Sequence, residues 1–216
     1  MTQFTLYGPT LSTYVRTVRM VLAETNTPYD LKEVDIFSDR DPEYLAKNPF
    51  GKVPTLDIDG ETLYETSAIV AYLDTVVGDH AFTPTAPLAQ AHMRQIMAIV
   101  DSYLYAPAIG TITIQRLIVP SQGGQPDEAA VAAATPKAKT ALEAIEAILS
   151  KRGFANASCS PYLLGDAITL ADFYLMPVML YLSKTPEMAA VTRETPKLNA
   201  WWASISQRPS FLEVTA

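Results

Sequence analysis

The run Asn48-Pro49-Phe50-Gly51-Lys52-Val53-Pro54-Thr55-Leu56, with Glu65-Thr66-Ser67 after it, constrains the fold of this chain more than any other feature. Pro54 cannot donate to a strand ladder, so it marks a strand entry or a cis bond. If the Val53 peptide turns outward, its N–H and C=O are left to pair with an extended peptide. Asp59-Gly60 is a strong hairpin signal between two short strands, Thr55 to Ile58 and Thr62 to Tyr64. Thr66 has the residue type and place of an N-cap ahead of the apolar run Ala68-Ile69-Val70. A turn, a strand and a helix start therefore face one small anionic ligand.

The pattern before this run is of the same kind. Phe4 to Tyr7 alternates as a strand and stops at Gly8-Pro9. Ser12 precedes Val15, Val18 and Leu22, which share a helical face. Tyr29 to Ile36 alternates again, and Pro42 to Lys47 is a weak helical stretch. The order β-α-β-α-β-β-α predicts a thioredoxin-like α/β unit over residues 1–78, followed by a linker over 79–87 that contains Pro84 and Pro87. Strand signals cease beyond it, so residues 88–216 are expected to form an all-α helical bundle. Within that part, Tyr105, Ile109, Ile112 and Arg116 share a face at α-helical spacing. Thr169 and Asp172 resemble a capping box with Asp in place of Glu, and Ile168 and Phe173 have staple spacing. The reading there is structural nucleation, without catalysis.

Composition narrows the partners. The 216 residues are 49% hydrophobic and 18% charged with net charge −7, which reads as soluble and globular and disfavours non-specific attraction to nucleic acid or anionic membrane. No apolar stretch reaches the ~18 residues of a membrane span, and no signal peptide is visible. The single cysteine, Cys159, excludes an internal disulfide framework, and His80 and His92 lack neighbouring ligands for a metal.

The Asn-Pro-x-Gly-x-Val-Pro-x-Leu run and the Glu-[Ser/Thr]-x-Ala-Ile run, in this order, resemble the glutathione S-transferase family. Leu164-Gly165-Asp166, the Thr169 to Asp172 segment, Tyr181-Leu182, Trp201-Trp202 and Arg208-Pro209 are similar to its helical domain, and the segment Tyr7 to Thr13 is similar to the serine-using phi branch. The resemblance implies a detoxifying transferase: cytoplasmic, homodimeric, with glutathione as co-substrate, a small electrophile as second substrate, and no other cofactor.

It also assigns roles. Ser12 is the candidate donor to the glutathione thiolate, with Thr13 and Tyr7 as competitors. Glu65 would pair with the γ-glutamyl amine and Thr66 with its carboxylate. Val53, beside Pro54, would pair through its backbone with the cysteinyl part. Arg40 and Lys52 are candidates for the glycine carboxylate, although Asp39 stands where phi-type members often carry histidine. Leu11, Tyr14, Tyr105, Ile109, Ile112 and Arg116 are candidates for the second-substrate pocket, with Phe211 as a cover. Two other readings use the same resemblance: a glutathione-dependent isomerase or thioether-cleaving enzyme, and a non-enzymatic interaction module. The absence of cysteine between Gly8 and Thr13 argues against glutaredoxin-like chemistry.

Overall fold

A computed structural model describes residues 2–35, 41–150 and 161–216. The chain divides into two compact units, one built from residues 1–82 and 209–216, the other from residues 83–208. The division between residues 82 and 83 falls within the expected linker over 79–87, while the last eight residues, expected in the helical bundle, belong to the first unit.

In the first unit β1 (Phe4–Tyr7), β2 (Asp30–Lys32), β3 (Thr55–Ile58) and β4 (Glu61–Tyr64) form one sheet in the order β2-β1-β3-β4. β1 runs parallel to β2 and antiparallel to β3, with Leu6 opposite Leu56. A parallel pair needs a crossover, which α1 (Thr13–Glu24) supplies. The β3–β4 hairpin turns at Asp59 and Gly60, both at positive φ, as an inward-twisting two-residue turn requires. α1 packs on α3 (Thr66–Val76) through Val15, Val18, Leu22, Ile69, Val70 and Leu73, all fully buried together with Leu6 and Leu56. α2 (Pro42–Lys47) starts at Asp41, whose carboxylate accepts from Glu43 N–H at 2.9 Å, and Pro42 occupies the first turn where its missing N–H costs nothing.

The second unit is helical. α4 (Pro87–Ser121) is 35 residues long and, by length and composition alone, apolar enough to cross a membrane, so the membrane-span expectation needs correcting on that test. Many of its apolar side chains are buried, Met93, Ile96, Met97, Val100, Leu104 and Ile112 among them. Two stretches of α4, Val100–Leu104 and Ala108–Ile118, are π-helical. A π turn spends one more residue than an α turn. The buried positions follow that wider period: Val100, Leu104, Ala108 and Ile112 recur every four residues, and Thr113 joins them with its hydroxyl donating to Ala108 C=O, five residues back, at 2.8 Å.

α5 (Glu128–Leu149), α6 (Leu170–Leu182), α7 (Met188–Val191) and α8 (Pro196–Ile205) complete this unit. α6 is the most enclosed, and its start is the dense polar cluster of the chain. The buried Asp172 carboxylate accepts from Thr169 N–H and Thr169 Oγ1 at 2.8 Å each, from Leu163 N–H at 2.9 Å and from Trp201 Nε1 at 2.8 Å. Ile168 and Phe173 are both buried beside it, as staple spacing demands. Glu146 of α5 does similar work for α8, accepting from Lys197 and Leu198 N–H at 3.0 and 2.9 Å. The last helix, α9 (Pro209–Thr215), packs on α1 in the first unit. Arg19 donates to Val214 C=O at 3.2 Å, and Ser210 Oγ donates to Glu24.

Candidate active site

Ser12 is the N-cap of α1. Its Oγ accepts from Val15 N–H at 3.4 Å, while its backbone C=O accepts from Arg16 N–H at 2.9 Å. The capping role consumes a lone pair of the hydroxyl and leaves its proton for another acceptor. Capping and anion binding are therefore compatible in one serine. The twelve-residue helix behind it adds partial positive charge at this end.

The two competitors are placed differently. Thr13 is buried, and its Oγ1 is shielded from solvent with no hydrogen-bond partner among the described residues, so no ligand reaches it without rearrangement. Tyr7 alternates out of the β1 core face. Its ring lies 6.1 Å from Tyr44 of α2 and has Lys32 and Lys47 ammonium groups at 5.5 and 5.3 Å. Those neighbours come from α2 and β2, not from the start of α1 that holds Ser12.

Gly8 draws the Ser12 loop onto the Val53 segment. Its φ is +142°, and a Cβ there would lie 2.5 Å from Val15 Cγ2 and 3.0 Å from Val53 Cβ. Only glycine allows this approach. Its sequence signal is the turn dipeptide Gly8-Pro9, which reveals the turn but not the contact.

The Asn48 to Leu56 run carries Val53 and Pro54, joined by a cis peptide bond. Neither Val53 N–H nor Val53 C=O has a hydrogen-bond partner among the described residues. Asn48 is buried, with its side-chain oxygen accepting from Phe50 N–H at 3.1 Å. Lys52 extends an exposed side chain with no carboxylate partner among the described residues. Arg40 lies outside the described residues.

At the third corner the cap of α3 is Glu65, and Thr66 is the first helical residue, one position later than its N-cap reading. No side chain caps this helix. Glu65 is exposed with φ +71°, a region that non-glycine residues occupy at a cost of about 1–3 kcal/mol. Thr66 is buried at 8% exposure and spends its hydroxyl on no partner among the described residues. The first-turn N–H groups of α3 are thus left open beside a carboxylate and a hydroxyl, suited to an amine and a carboxylate side by side.

The candidates for a second pocket divide between the two units. Leu11 is 65% exposed and Tyr14 is half-buried, both next to Ser12 in the first unit. In the second unit Tyr105 and Ile109 are half-buried, but Ile112 is fully buried and lines no open surface. The shared face was counted at α-helical period, and the π segment rotates its members apart. Arg116 is not available to orient an anion. Its guanidinium donates to Glu187 at 2.6 and 2.9 Å and to Glu128 at 2.6 and 2.9 Å. These bonds hold the Arg116 pKa well above its ordinary value and lower that of Glu128. Phe211 is buried in α9, in the first unit. Among the described residues no cluster of His, Cys, Asp and Glu could hold a metal ion.

The chain thus combines a four-stranded α/β unit, carrying an open helix start, an unpaired strand-entry peptide and a serine-capped helix, with a helical unit. Residues 6–80 match the family model "Glutathione S-transferase, N-terminal domain" and residues 73–209 match "Glutathione S-transferase, C-terminal domain". The chain belongs to the glutathione S-transferase family, and its relatives make it phi-like. Glutathione S-transferase F13 of Arabidopsis thaliana is 34% identical over 214 residues, covering 97% of this chain and 94% of that protein. The crystal structure of glutathione transferase F7 from Populus trichocarpa superposes with TM-score 0.80 at 34% identity, covering 98% of this chain and 97% of that one. Maize glutathione S-transferase I, in complex with an atrazine glutathione conjugate, gives TM-score 0.80 at 30% identity, covering 98% and 96%.

Proposed function

We propose that this enzyme binds glutathione along the first unit and uses Ser12 to stabilise its thiolate for attack on an electrophilic small molecule. The observation that carries this reading is the Ser12 hydroxyl: committed as an acceptor to Val15 N–H, it has a proton to give at a helix N-terminus. Glu65 pairs with the glutathione amine. Thr66 and the open first turn of α3 take the γ-glutamyl carboxylate, and the Val53 peptide pairs with the cysteinyl residue. Lys52 and Arg40 are the cations for the glycine carboxylate. Leu11 and Tyr14 are contacts for the electrophile beside the sulfur.

A free thiol has a pKa near 8.5, so little is ionised at neutral pH. A charge-assisted hydrogen bond is worth about 1.5–3 kcal/mol, and one pKa unit is about 1.36 kcal/mol. One such bond, with the helix terminus, lowers the thiol pKa by about one to three units. The thiol proton leaves to solvent, the sulfur lone pair forms a C–S bond, and the electrophile's leaving group departs with its bonding pair or its π electrons shift onto the acceptor atom. Proximity of the two substrates supplies part of the acceleration. The maize relative's conjugate is consistent with this chemistry. Family precedent supports a homodimer and a cytoplasmic setting, which light scattering and cell fractionation test.

The direct test is thiolate absorbance of bound glutathione against pH. A bound-thiol pKa at least one unit below that of free glutathione is expected, with most of the shift lost in Ser12→Ala. Binding with an unshifted pKa would refute thiolate activation.

A further inference from the structure

The residues that would meet glutathione at its cysteinyl part offer only backbone, so their orientation must come from elsewhere. Tyr44 Oη donates to Lys52 C=O at 2.6 Å, and Asn48 Nδ2 donates to the same oxygen at 2.9 Å. The same two groups converge on Thr55 Oγ1, at 3.0 Å from Tyr44 Oη and 3.2 Å from Asn48 Nδ2. Tyr44 comes from α2 and Asn48 from the residue that ends it, and both are buried. Two side-chain donors therefore hold the Lys52 carbonyl just before the Val53-Pro54 pair, and beyond it Thr55 Oγ1 donates to Tyr44 Oη, whose own proton goes to Lys52 C=O.

Peptide planarity turns this grip into aim. The Lys52–Val53 amide is planar and trans, so Lys52 C=O and Val53 N–H point in opposite directions. With the carbonyl drawn inward by two donors, the N–H is driven outward, and it has no acceptor among the described residues. We infer that Tyr44 and Asn48 are positioning residues for glutathione: they touch no substrate atom, and they set the direction in which Val53 N–H is offered. The inference rests on the reading of the Val53 peptide as a glutathione partner.

The network contains its own control. Thr55 belongs to the same cluster but lies on the far side of Pro54 and does not touch the Lys52 carbonyl. Thr55→Val should lower the thermal midpoint and leave glutathione affinity within about twofold. Tyr44→Phe removes one of the two donors to Lys52 C=O and keeps the ring against Tyr7. It should raise the glutathione Kd and KM about five- to tenfold while kcat at saturating glutathione stays within about twofold. Asn48→Ala should exceed that effect, because it also releases Phe50 N–H.

Calorimetric titration with glutathione, alongside melting curves, reads each variant. Tyr44→Phe with unchanged Kd but a lowered midpoint, like Thr55→Val, overturns the inference and leaves the conjugation reading intact. A drop in kcat alone overturns it too, since orientation of a binding group would then not be what was lost. Failure of the wild-type protein to bind glutathione overturns both.

Discussion

The starts of α3 and α6 look alike in sequence, each a threonine at the head of a largely apolar helix, yet the molecule treats them in opposite ways. At α6 the start is capped from within: Asp172 accepts four hydrogen bonds and is fully enclosed. At α3 no side chain caps the helix, Glu65 stands exposed at positive φ, and the Thr66 hydroxyl has no partner among the described residues. A helix start that satisfies itself is architecture. One that leaves its donors open, and holds a strained residue to do so, is prepared for something outside the chain. Ser12 sits between these extremes, because one lone pair is used internally and its proton is not.

The largest effect should come from the closed end. Asp172→Ala strands the N–H groups of Leu163, Thr169 and Trp201, and a loss of about 3–5 kcal/mol in urea unfolding is expected. A loss under about 1 kcal/mol would break the contrast. Its pH dependence has a definite sign. Burial lifts the Asp172 pKa above the ordinary 3.8 against the pull of its four donors. A raised folded value means its stabilising contribution is complete below the unfolded pKa and is lost as pH rises through the folded one. The thermal midpoint of wild type minus that of Asp172→Asn should therefore fall as pH rises from about 4; a rising difference would contradict the assignment.

Ser12→Ala comes next. Losing a charge-assisted bond of about 1.5–3 kcal/mol slows turnover roughly ten- to a hundredfold. Glutathione affinity should change little, and stability should fall by the ~1 kcal/mol of a lost cap. Steady-state kinetics with an activated aryl halide separates these, and unchanged turnover would sink the serine assignment. Thr66→Val and Thr169→Val sharpen the pair directly. The first should weaken glutathione binding about tenfold with the melting curve unmoved; the second should lower the midpoint with binding unmoved. The smallest stability effect is expected of Glu65→Gly. Relief of the positive φ stabilises by up to ~1 kcal/mol, while loss of the carboxylate weakens glutathione binding, so stability and affinity move in opposite directions.

The sequence of strands and helices in the first unit, the Asp59-Gly60 turn and the Thr169–Asp172 box were legible because each is a local device with a residue signature. Period-two and period-3.6 patterns gave the elements of the first unit for the same reason. Reading failed where the period changed. The π stretches of α4 place residues at a spacing near four, so the face drawn through Tyr105, Ile109, Ile112 and Arg116 does not exist as one surface. It also failed where a partner is distant in sequence: Glu187 claims Arg116 across 71 positions, and nothing near either residue announces it. Within the site, Ser12, Val53 and Glu65 carry motif signals. Tyr44 carries none, because a hydroxyl that grips a main-chain carbonyl leaves no pattern along the chain.

The return of α9 to the first unit has a temporal consequence. α1 is the crossover that makes the β1–β2 pairing possible, and Phe211 and Val214 supply part of its covering. On the ribosome those residues emerge only after the whole helical unit has been made. The first unit is therefore sealed after the second has been made, and a fragment ending at residue 82 should expose apolar surface on α1 that residues 209–216 otherwise conceal.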